Sequence, residues 1–220
     1  MTTRWGHSEA GRGAPGASSA GRFKLVLRPW RASDLDRLRE AIDEDVSHLK
    51  PWLSWTLEEP SSLETTHRRL ARWIDEFESG AGYRFAITPR GEPRHVLGGA
   101  NLNCRFGPAA HDVGCWVRKS AVRRGVASAS LARLTVHAFK ERGVERVISQ
   151  CDVENLASQR LSESLGFRLL ERAVGSYPDG SARPLLRYVL TAEEYGPLAE
   201  GLRRSAVAAS LGRYWSPDPG

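Results

Sequence analysis

The stretch Val122-Arg-Arg-Gly-Val-Ala-Ser128 contains residue types that can bind a phosphate group through the backbone. Gly125 lets the main chain approach a ligand closely, because it has no Cβ atom. The N–H groups in the first turn of a following helix point back at such a ligand, and the helix dipole favours a negative charge there. The stretch therefore predicts a phosphate-binding turn at the start of a helix.

A second motif, Asn155-Leu-Ala-Ser158, follows it and ends in Leu165-Gly-Phe167. Asn is a preferred residue at helix N-termini, and Gly is preferred just after helix C-termini. The motif therefore predicts a polar loop that caps a short helix. Together, the two motifs predict a phosphate cradle beside a polar clamp, an arrangement that suits an elongated ligand.

Charge and composition limit the classes of partner. The chain has 220 residues, of which 40% are apolar, a formal charge of +6 and a pI near 9.6. Residues 1–22 carry +2 and residues 196–220 carry +1, so only +3 remains for the middle, where no block of five basic residues occurs. A modest positive field suits a small polyanion as well as it suits a nucleic-acid backbone. Nucleic acid is therefore disfavoured as a partner.

The cysteines and the hydropathy pattern predict a cytoplasmic protein without a metal. Cys104, Cys115 and Cys151 are far apart, and neither a C-x-x-C pair nor a zinc-ligand spacing occurs. They fit small apolar core residues in a reducing compartment. No apolar run approaches the roughly 18 residues of a membrane span, and no hydrophobic signal region follows the first residues. We expect no membrane partner.

Three parts are predicted along the chain. Residues 1–22 have the Gly-, Ala- and Ser-rich composition of a flexible leader, residues 23–190 form the folded domain, and residues 191–220 form an extension with a helix from Thr191 that Gly196-Pro197 interrupts. Within the domain, alternating and apolar runs predict strands at 23–28, 83–88, 96–102, 111–117, 147–153, 167–174 and 185–190. Helices are predicted from Ser33, from Ser61, at 124–142 and at 156–165.

This order of elements predicts an α/β (α+β) fold. A helix between the fourth and fifth strands implies a right-handed crossover between parallel neighbours. Short turns elsewhere imply antiparallel pairing. We therefore expect a mixed, mostly antiparallel sheet of roughly seven strands, with helices on both faces and a parallel pair in the middle.

Both motifs and the element order resemble the GNAT superfamily of CoA-dependent N-acyltransferases, over residues 23–190. Within it, His48-Leu-Lys-Pro-Trp-Leu-Ser-Trp55 and Asn155-Leu-Ala-Ser158 resemble the RimJ/RimL-type branch, which acetylates N-termini of ribosomal proteins. The resemblance implies acetyl-CoA as cosubstrate. It also implies an amine acceptor, which is either a peptide N-terminus or a small molecule. A homodimer is compatible with the sequence.

Three positions depart from the family pattern. Val122 stands where the family's turn begins with Gln or Arg, Ser162 where many members have a Tyr that acts as an acid, and Ser176 where the ribosomal-protein branch has a glutamate. Backbone N–H groups do most of the phosphate binding in the family, so a valine at position 122 should weaken phosphate binding only slightly. The other two departures leave the family's acid and base roles without their usual residues.

The resemblance assigns cofactor contacts by position. The strand ending at Trp116 and Val117 is expected to splay from strand 147–153 and to offer its backbone to the pantetheine arm. The pyrophosphate is expected on the turn and first helical residues, namely Val122, Arg123, Arg124, Gly125, Val126, Ala127 and Ser128. Arg123 and Arg124 either bind phosphate or are simply solvated. Asn155 either contacts pantetheine or caps its helix, and the two roles are compatible.

His111 is the first candidate for the general base. It lies fourteen residues before Gly125, where several family members place a catalytic Glu or His, and its ordinary pKa of about 6.5 suits neutral pH. A solvated His at a strand start and a water-mediated route are the alternatives. Asp112 and Glu59 are weaker candidates.

Ser158 is the candidate donor to the leaving sulfur, unless it only caps or packs, and Ser162 is a further one. Trp52, Trp55 and Trp73 are predicted to pack in the core or to wall the acceptor pocket.

Three classes of function follow. The first is an acetyl-CoA-dependent N-acetyltransferase that transfers the acetyl group directly in a ternary complex; an acyl group carried by Cys115 or Cys151 is less favoured. The second is a non-catalytic CoA- or acyl-CoA-binding domain, suggested by Ser162 and Ser176. The third, a nucleic-acid-binding module, has only the high pI in its favour.

Overall fold

A computed structural model describes residues 24–44, 46–53, 61–176, 181–206 and 209–211. The strands are β1 Leu25–Pro29, β2 Gly82–Pro89, β3 Gly98–Asn103, β4 Ala110–Val117, β5 Arg146–Asp152, β6 Arg168–Ser176, β7 Ala182–Thr191 and β8 Ala209–Leu211. The helices are α1 Leu35–Asp43, α2 Val46–Leu49, α3 Leu63–Glu78, α4 Val126–Glu141, α5 Leu156–Ser164 and α6 Ala192–Ala206. The predicted leader lies outside the described residues, as do Trp55, Glu59 and the last nine residues.

All these strands belong to one sheet, in the order β6-β7-β5-β4-β3-β2-β1-β8. The central pair β4–β5 is parallel, as is β1–β8 at one edge, and the other neighbours are antiparallel. The mixed, mostly antiparallel sheet with a central parallel pair is therefore confirmed. Helix α4 is the crossover between β4 and β5, as the sequence predicts.

Helices cover both faces of the sheet. One apolar cluster joins α4 and α6 to the sheet and contains Leu134, Val147, Phe85 and Leu202. The other joins α1, α2 and α3 to the opposite face and contains Trp30, Leu38, Leu70, Trp73 and Trp116. Because alternate strand residues face opposite sides, neighbours such as Trp116 and Val117 fall into different clusters.

Two helix starts lie later than the sequence predicts. Helix α3 is capped by Ser62, whose hydroxyl accepts from the N–H of Thr65, rather than by Ser61. Helix α4 begins at Val126 rather than Arg124, because Gly125 adopts the left-handed conformation as its N-cap. The turn before α4 is thereby one to two residues longer than predicted.

The extension contains more regular structure than predicted. Helix α6 runs through Gly196 and Pro197 to Ala206 without the predicted interruption. The short strand β8 then pairs with the edge of β1, from Leu25 with Ala209 to Leu27 with Leu211. Three residues are too few for a recognisable alternation, which is why the sequence does not indicate β8.

Candidate active site

Strands β4 and β5 pair at their beginnings and then part. Their register runs only from Ala110 with Arg146 to Val113 with Ser149. Beyond that point β4 stays paired with β3 up to Val117, and β5 stays paired with β7 up to Asp152. Both strands are thus held by their outer neighbours while the gap between them opens. The result is a wedge in the middle of the sheet, whose inner backbone groups face the gap.

The N-terminus of α4 lies beside this wedge without a side-chain cap. No side chain accepts a hydrogen bond there, whereas Ser62 caps α3 and Asn155 caps α5. The first-turn N–H groups of a helix have no acceptor within the helix itself. Gly125 has a φ of 77°, and a Cβ atom on it would meet nothing within 4 Å. The helix start therefore offers unpaired donors and a positive dipole to an open space.

A cleft of about 950 Å³ joins the wedge to the start of α4. Ten predicted cofactor-binding residues line it: Trp116, Val117, Val122, Arg123, Gly125, Val126, Ala127, Ser128, Asn155 and Ser158. Arg124 does not; it lines a second cavity on the other side of Gly125. The two motifs, distant in sequence, thus meet at one cleft.

His111, the first candidate for the base, lies outside this cleft. It is buried, it does not line the cleft, and it interacts electrostatically with His137 of α4. Strand alternation places it on the α4 side of the sheet, opposite to Asp112. Burial lowers the pKa of His111, so the buried imidazole is neutral at physiological pH. Its burial and its neutral state do not favour His111 as the group that accepts a proton in the cleft.

Two carboxylates among the described residues line the cleft, Asp152 at the end of β5 and Asp112, which lies one residue before the end of the β4–β5 pairing. The second of them, Asp112, is the more deeply buried. Its side chain is 5% exposed, and its Oδ2 accepts from Asn103 Nδ2 at 3.1 Å and from Arg105 Nη2 at 2.9 Å. Its Oδ1 is buried and has no hydrogen-bond partner among the described residues. Burial raises the pKa of Asp112 against the opposing effect of Arg105. One oxygen of the Asp112 carboxylate is thus buried and without a hydrogen-bond partner in the described part of the chain.

The serines of the second motif have different surroundings. Asn155 Oδ1 accepts from the N–H of Ser158 at 3.0 Å, so Asn155 is the N-cap of α5 as well as part of the cleft wall. The half-buried Ser158 also lines the cleft. Ser162 is buried, and its hydroxyl lies 2.9 Å from that of Ser149. Ser162 therefore does not occupy the cleft, and Ser158 is the nearer donor for a departing thiolate.

The far half of the cleft lies between the sheet and α2–α3. Trp52 and Trp73 both line it, so they wall the pocket, and Trp73 also packs against Trp30 in the core. The polar residues of this half include His48, Arg72, Arg84, Arg105, Asn101 and Asn103. The sequence carries no local signal for these residues. The pairing of β2 with β3 brings Arg84 beside Asn101, and the packing of α3 on the sheet brings in Arg72.

The two cysteines in the wedge are poor nucleophiles. Burial raises the pKa of Cys115 to about 12. Burial, with Asp152 and Glu163 nearby, raises the pKa of Cys151 to about 11. Since the thiolate is the nucleophilic form, both thiols are protonated at neutral pH. This favours direct transfer over an acyl-cysteine intermediate.

The profile of the Acetyltransferase (GNAT) domain family matches residues 24–168, more than half of the chain. The chain belongs to the GNAT acetyltransferase family. It is therefore an N-acetyltransferase by family, and the predicted resemblance is confirmed. Its relatives include proteins named for the RimL type of enzyme.

One such relative is YdaF of Bacillus subtilis, provisionally named a ribosomal N-acetyltransferase. It is 26% identical over 173 residues, which cover 78% of this chain and 93% of YdaF. RimL, a ribosomal L7/L12 alpha-N-protein acetyltransferase solved with coenzyme A in disulfide linkage to a cysteine, has a TM-score of 0.68 at 21% identity, covering 78% and 96% of the two chains. MccE, the microcin C7 self-immunity acetyltransferase solved with acetyl-CoA and AMP, has a TM-score of 0.68 at 13% identity, covering 76% and 92%. These structural likenesses show the shared fold.

The described part of the chain lacks two kinds of feature. It contains no cluster of three or more His, Cys, Asp or Glu side chains arranged to hold a metal ion. It also contains no helix that combines the length and the apolar character needed to cross a membrane.

Proposed function

We propose that this protein transfers the acetyl group of acetyl-CoA directly to a primary amine, at a peptide N-terminus or on a small molecule. The main support for this proposal is that the β4–β5 wedge adjoins the uncapped start of α4. A wedge with free backbone groups suits an extended amide-bearing arm. A helix start with unpaired N–H groups suits a pyrophosphate. One ligand class, an acyl-coenzyme A, has both parts in that order.

The binding contacts follow from this placement. The N–H groups of Val126, Ala127 and Ser128 hold the pyrophosphate, and Arg123 adds a charged contact from the cleft wall. The backbone of Trp116 and Val117 pairs with the pantetheine arm. Asn155 contributes its side-chain NH₂ group, because its Oδ1 is already engaged by Ser158. Val122 packs partly in the core and contributes backbone alone.

Acetyl-CoA supplies the activated thioester, and the chain supplies proton transfer and positioning. The acceptor amine must be neutral to attack the carbonyl carbon. Asp112 Oδ1 takes the proton that the amine loses, while Asn103 and Arg105 hold Oδ2 in place. As the C–N bond forms and the C–S bond breaks, the Ser158 hydroxyl donates a hydrogen bond to the departing sulfur. Asp112 thus replaces His111 as the proposed base.

The acceptor is proposed at the class level. The relatives named for ribosomal N-acetylation favour a peptide N-terminus, and the Trp52–Trp73 walls and polar far half leave room for a chain end. The division into a leader, a GNAT domain and an extension is part of the proposal, with α6 and β8 assigned to the extension. Cytoplasmic location and a homodimer stay predictions.

The experiment is an acceptor screen at saturating acetyl-CoA, with products identified by mass and CoA release measured continuously. Peptides that begin with Ser, Ala or Met and a set of small amines form the panel. We expect turnover with at least one amine. Binding of acetyl-CoA without turnover on any acceptor would favour the non-catalytic acyl-CoA-binding alternative.

Gly125→Glu tests the phosphate cradle. The substitution places a carboxylate in the open space over Gly125 and strains the left-handed backbone at this position. CoA should raise the melting temperature of the wild type and leave that of the variant unchanged. An undiminished shift in the variant would overturn the phosphate cradle.

A further inference from the structure

The far half of the cleft contains more positive than negative side chains. Arg72 of α3, Arg84 of β2 and Arg105 after β3 line this half. Among the described residues, the carboxylates that line the whole cleft are Asp112 and Asp152, and Arg105 already donates to Asp112 at 2.9 Å. Arg72 and Arg84 therefore remain as positive charges that neither of these carboxylates pairs with.

Arg72 and Arg84 share one carboxylate, that of Glu76 on α3. Arg84 Nε donates to Glu76 Oε2 at 2.7 Å, and Arg72 Nε lies 3.6 Å from Glu76 Oε1. Glu76 itself does not line the cleft. No Nη group of either arginine donates a hydrogen bond to a described residue. Two guanidinium groups against one carboxylate leave a net positive charge, and their Nη groups are available to a further anion.

The two arginines differ in how firmly they are held. Arg84 contacts both Glu76 and Trp73, whose ring centroid is 5.8 Å from the guanidinium carbon, and its side chain is 30% exposed. Arg72 is 64% exposed, and its contact with Glu76 is long. An exposed pair of this kind contributes little, so Arg72 can turn to a better partner. A guanidinium group matches a carboxylate with two parallel N–H donors.

Arg84 has a defined place relative to the wedge. It pairs with Asn101 of β3, which pairs with Gly114 of β4, the first residue of β4 beyond its pairing with β5. Neighbouring strands lie about 4.8 Å apart, so Arg84 is about 10 Å across the sheet from the wedge. An extended peptide advances about 3.5 Å per residue. With its amine at the wedge, such a peptide brings its second or third side chain to Arg72 and Arg84.

We propose that Arg72 and Arg84 bind a carboxylate of the acceptor, which selects peptides with Asp or Glu at the second or third position. The inference rests on the proposed function and adds a charge preference to it. The Nη groups of both arginines donate to the carboxylate, while Glu76 holds Arg84 in place. Neither arginine contacts the reacting atoms, so the preference should arise in KM rather than in kcat.

The test compares the acetylation of paired peptides by the full chain at saturating acetyl-CoA. The peptides begin with Ser, Ala or Met, are amidated at the C-terminus, and carry either Glu or Gln at the second or the third position. Amidation leaves that Glu as the only carboxylate. At one of the two positions, we expect kcat/KM of the Glu peptide to be about five- to tenfold above that of its Gln partner.

Variants of the arginines locate the effect. Arg72→Gln should remove most of the Glu-to-Gln ratio by raising KM for the Glu peptide, and Arg84→Gln should do the same. Arg68→Gln is the matched control, because Arg68 is exposed one turn earlier on α3, does not line the cleft, and changes the net charge equally. It should keep the ratio of the wild type.

Each contrary result has a distinct meaning. Equal kcat/KM for the Glu and Gln peptides at both positions, or an unchanged ratio in both arginine variants, would overturn the carboxylate preference while the proposed function stands. Turnover of small amines but of no peptide would do the same. An equal loss of the ratio in Arg68→Gln would also overturn it, because the effect would then come from net charge. If acetyl-CoA bound and no amine of any kind was acetylated, the proposed function would fail and the preference with it.

Discussion

Replacing Asp112 with Asn separates the proton-accepting role from the structural one. The Asn side chain has nearly the same shape, and its carbonyl oxygen can accept from Asn103 and Arg105 in place of Oδ2. An amide cannot take the proton of the amine. We therefore expect the fold and CoA affinity to be retained and the acetylation rate to fall.

The magnitude follows from the acceptor and from the cleft. A positioned general base contributes about 10²–10⁴-fold in rate. An N-terminal amine, with an ordinary pKa of about 7.7–8.0, is already about half neutral at pH 8. The lower end of this range of rate factors therefore applies at pH 8, and kcat/KM of Asp112→Asn should fall about 10²-fold at that pH.

The pH dependence has a defined sign. Because burial raises the pKa of Asp112, its carboxylate form appears only as the pH rises through that raised value, and wild-type kcat/KM should fall below it. The variant should lack this limb and keep only the limb of the amine. The raised pKa also means that Asp112 costs folding stability once the pH exceeds that range, so the variant should melt no lower than the wild type at neutral pH.

The assay is continuous detection of CoA release from pH 5 to 9 with a peptide acceptor. His111→Gln is the comparison variant: it removes a buried imidazole outside the cleft and should lower stability without moving the acid limb. A wild-type profile and rate in Asp112→Asn would refute the reasoning. If His111→Gln lost the acid limb of the pH profile and Asp112→Asn kept it, His111 would be the base, as the sequence predicts.

Variants at three further places in the molecule test the helix cap, the cysteines and a buried ion pair. Asn155→Ala should lower the free energy of unfolding by about 1 kcal/mol, because the helix cap is lost, and it should also weaken CoA binding. Asn155→Asp keeps the cap, so it should restore the stability but not the CoA affinity. If Asn155→Asp restored both, Asn155 would have only the capping role. The double variant Cys115→Ala and Cys151→Ser should keep its kcat, since neither thiol is ionised at neutral pH, and a loss of kcat with CoA affinity intact would indicate an acyl-cysteine intermediate. Asp34→Ala leaves the buried Arg28 without its carboxylate, paired at 2.6 Å, and should lower the unfolding free energy in urea by about 3–5 kcal/mol; a change below about 1 kcal/mol would contradict a structural role for the pair.

The sequence predicts the fold well where patterns are long and local. The crossover helix α4 and the alternation of β2 and β4 are visible because apolar residues repeat over two or more turns or strand periods. The starts of α3 and α4 shift by one or two residues, because two adjacent serines compete as caps and because Gly125 lies outside the helix. The strand β8 depends on pairing with a distant edge, which no local pattern reveals.

The candidate site likewise contains residues that local patterns predict and residues that only the packing reveals. Residues that are proposed to bind through the backbone, such as Gly125 and Val117, follow from motif and register, and they line the cleft. The choice between His111 and Asp112 depends on which face of β4 each occupies, and neighbouring residues on a strand always differ in this respect. The far half of the cleft, with Arg72 and Arg84, depends on the packing of α3 on the sheet.

A crystal structure of the protein with CoA tests the central claim most directly. We expect pyrophosphate oxygens about 3 Å from the backbone nitrogens of Val126, Ala127 and Ser128, with the pantetheine arm between β4 and β5. CoA bound elsewhere, or a wedge filled by side chains while CoA is present, would contradict it.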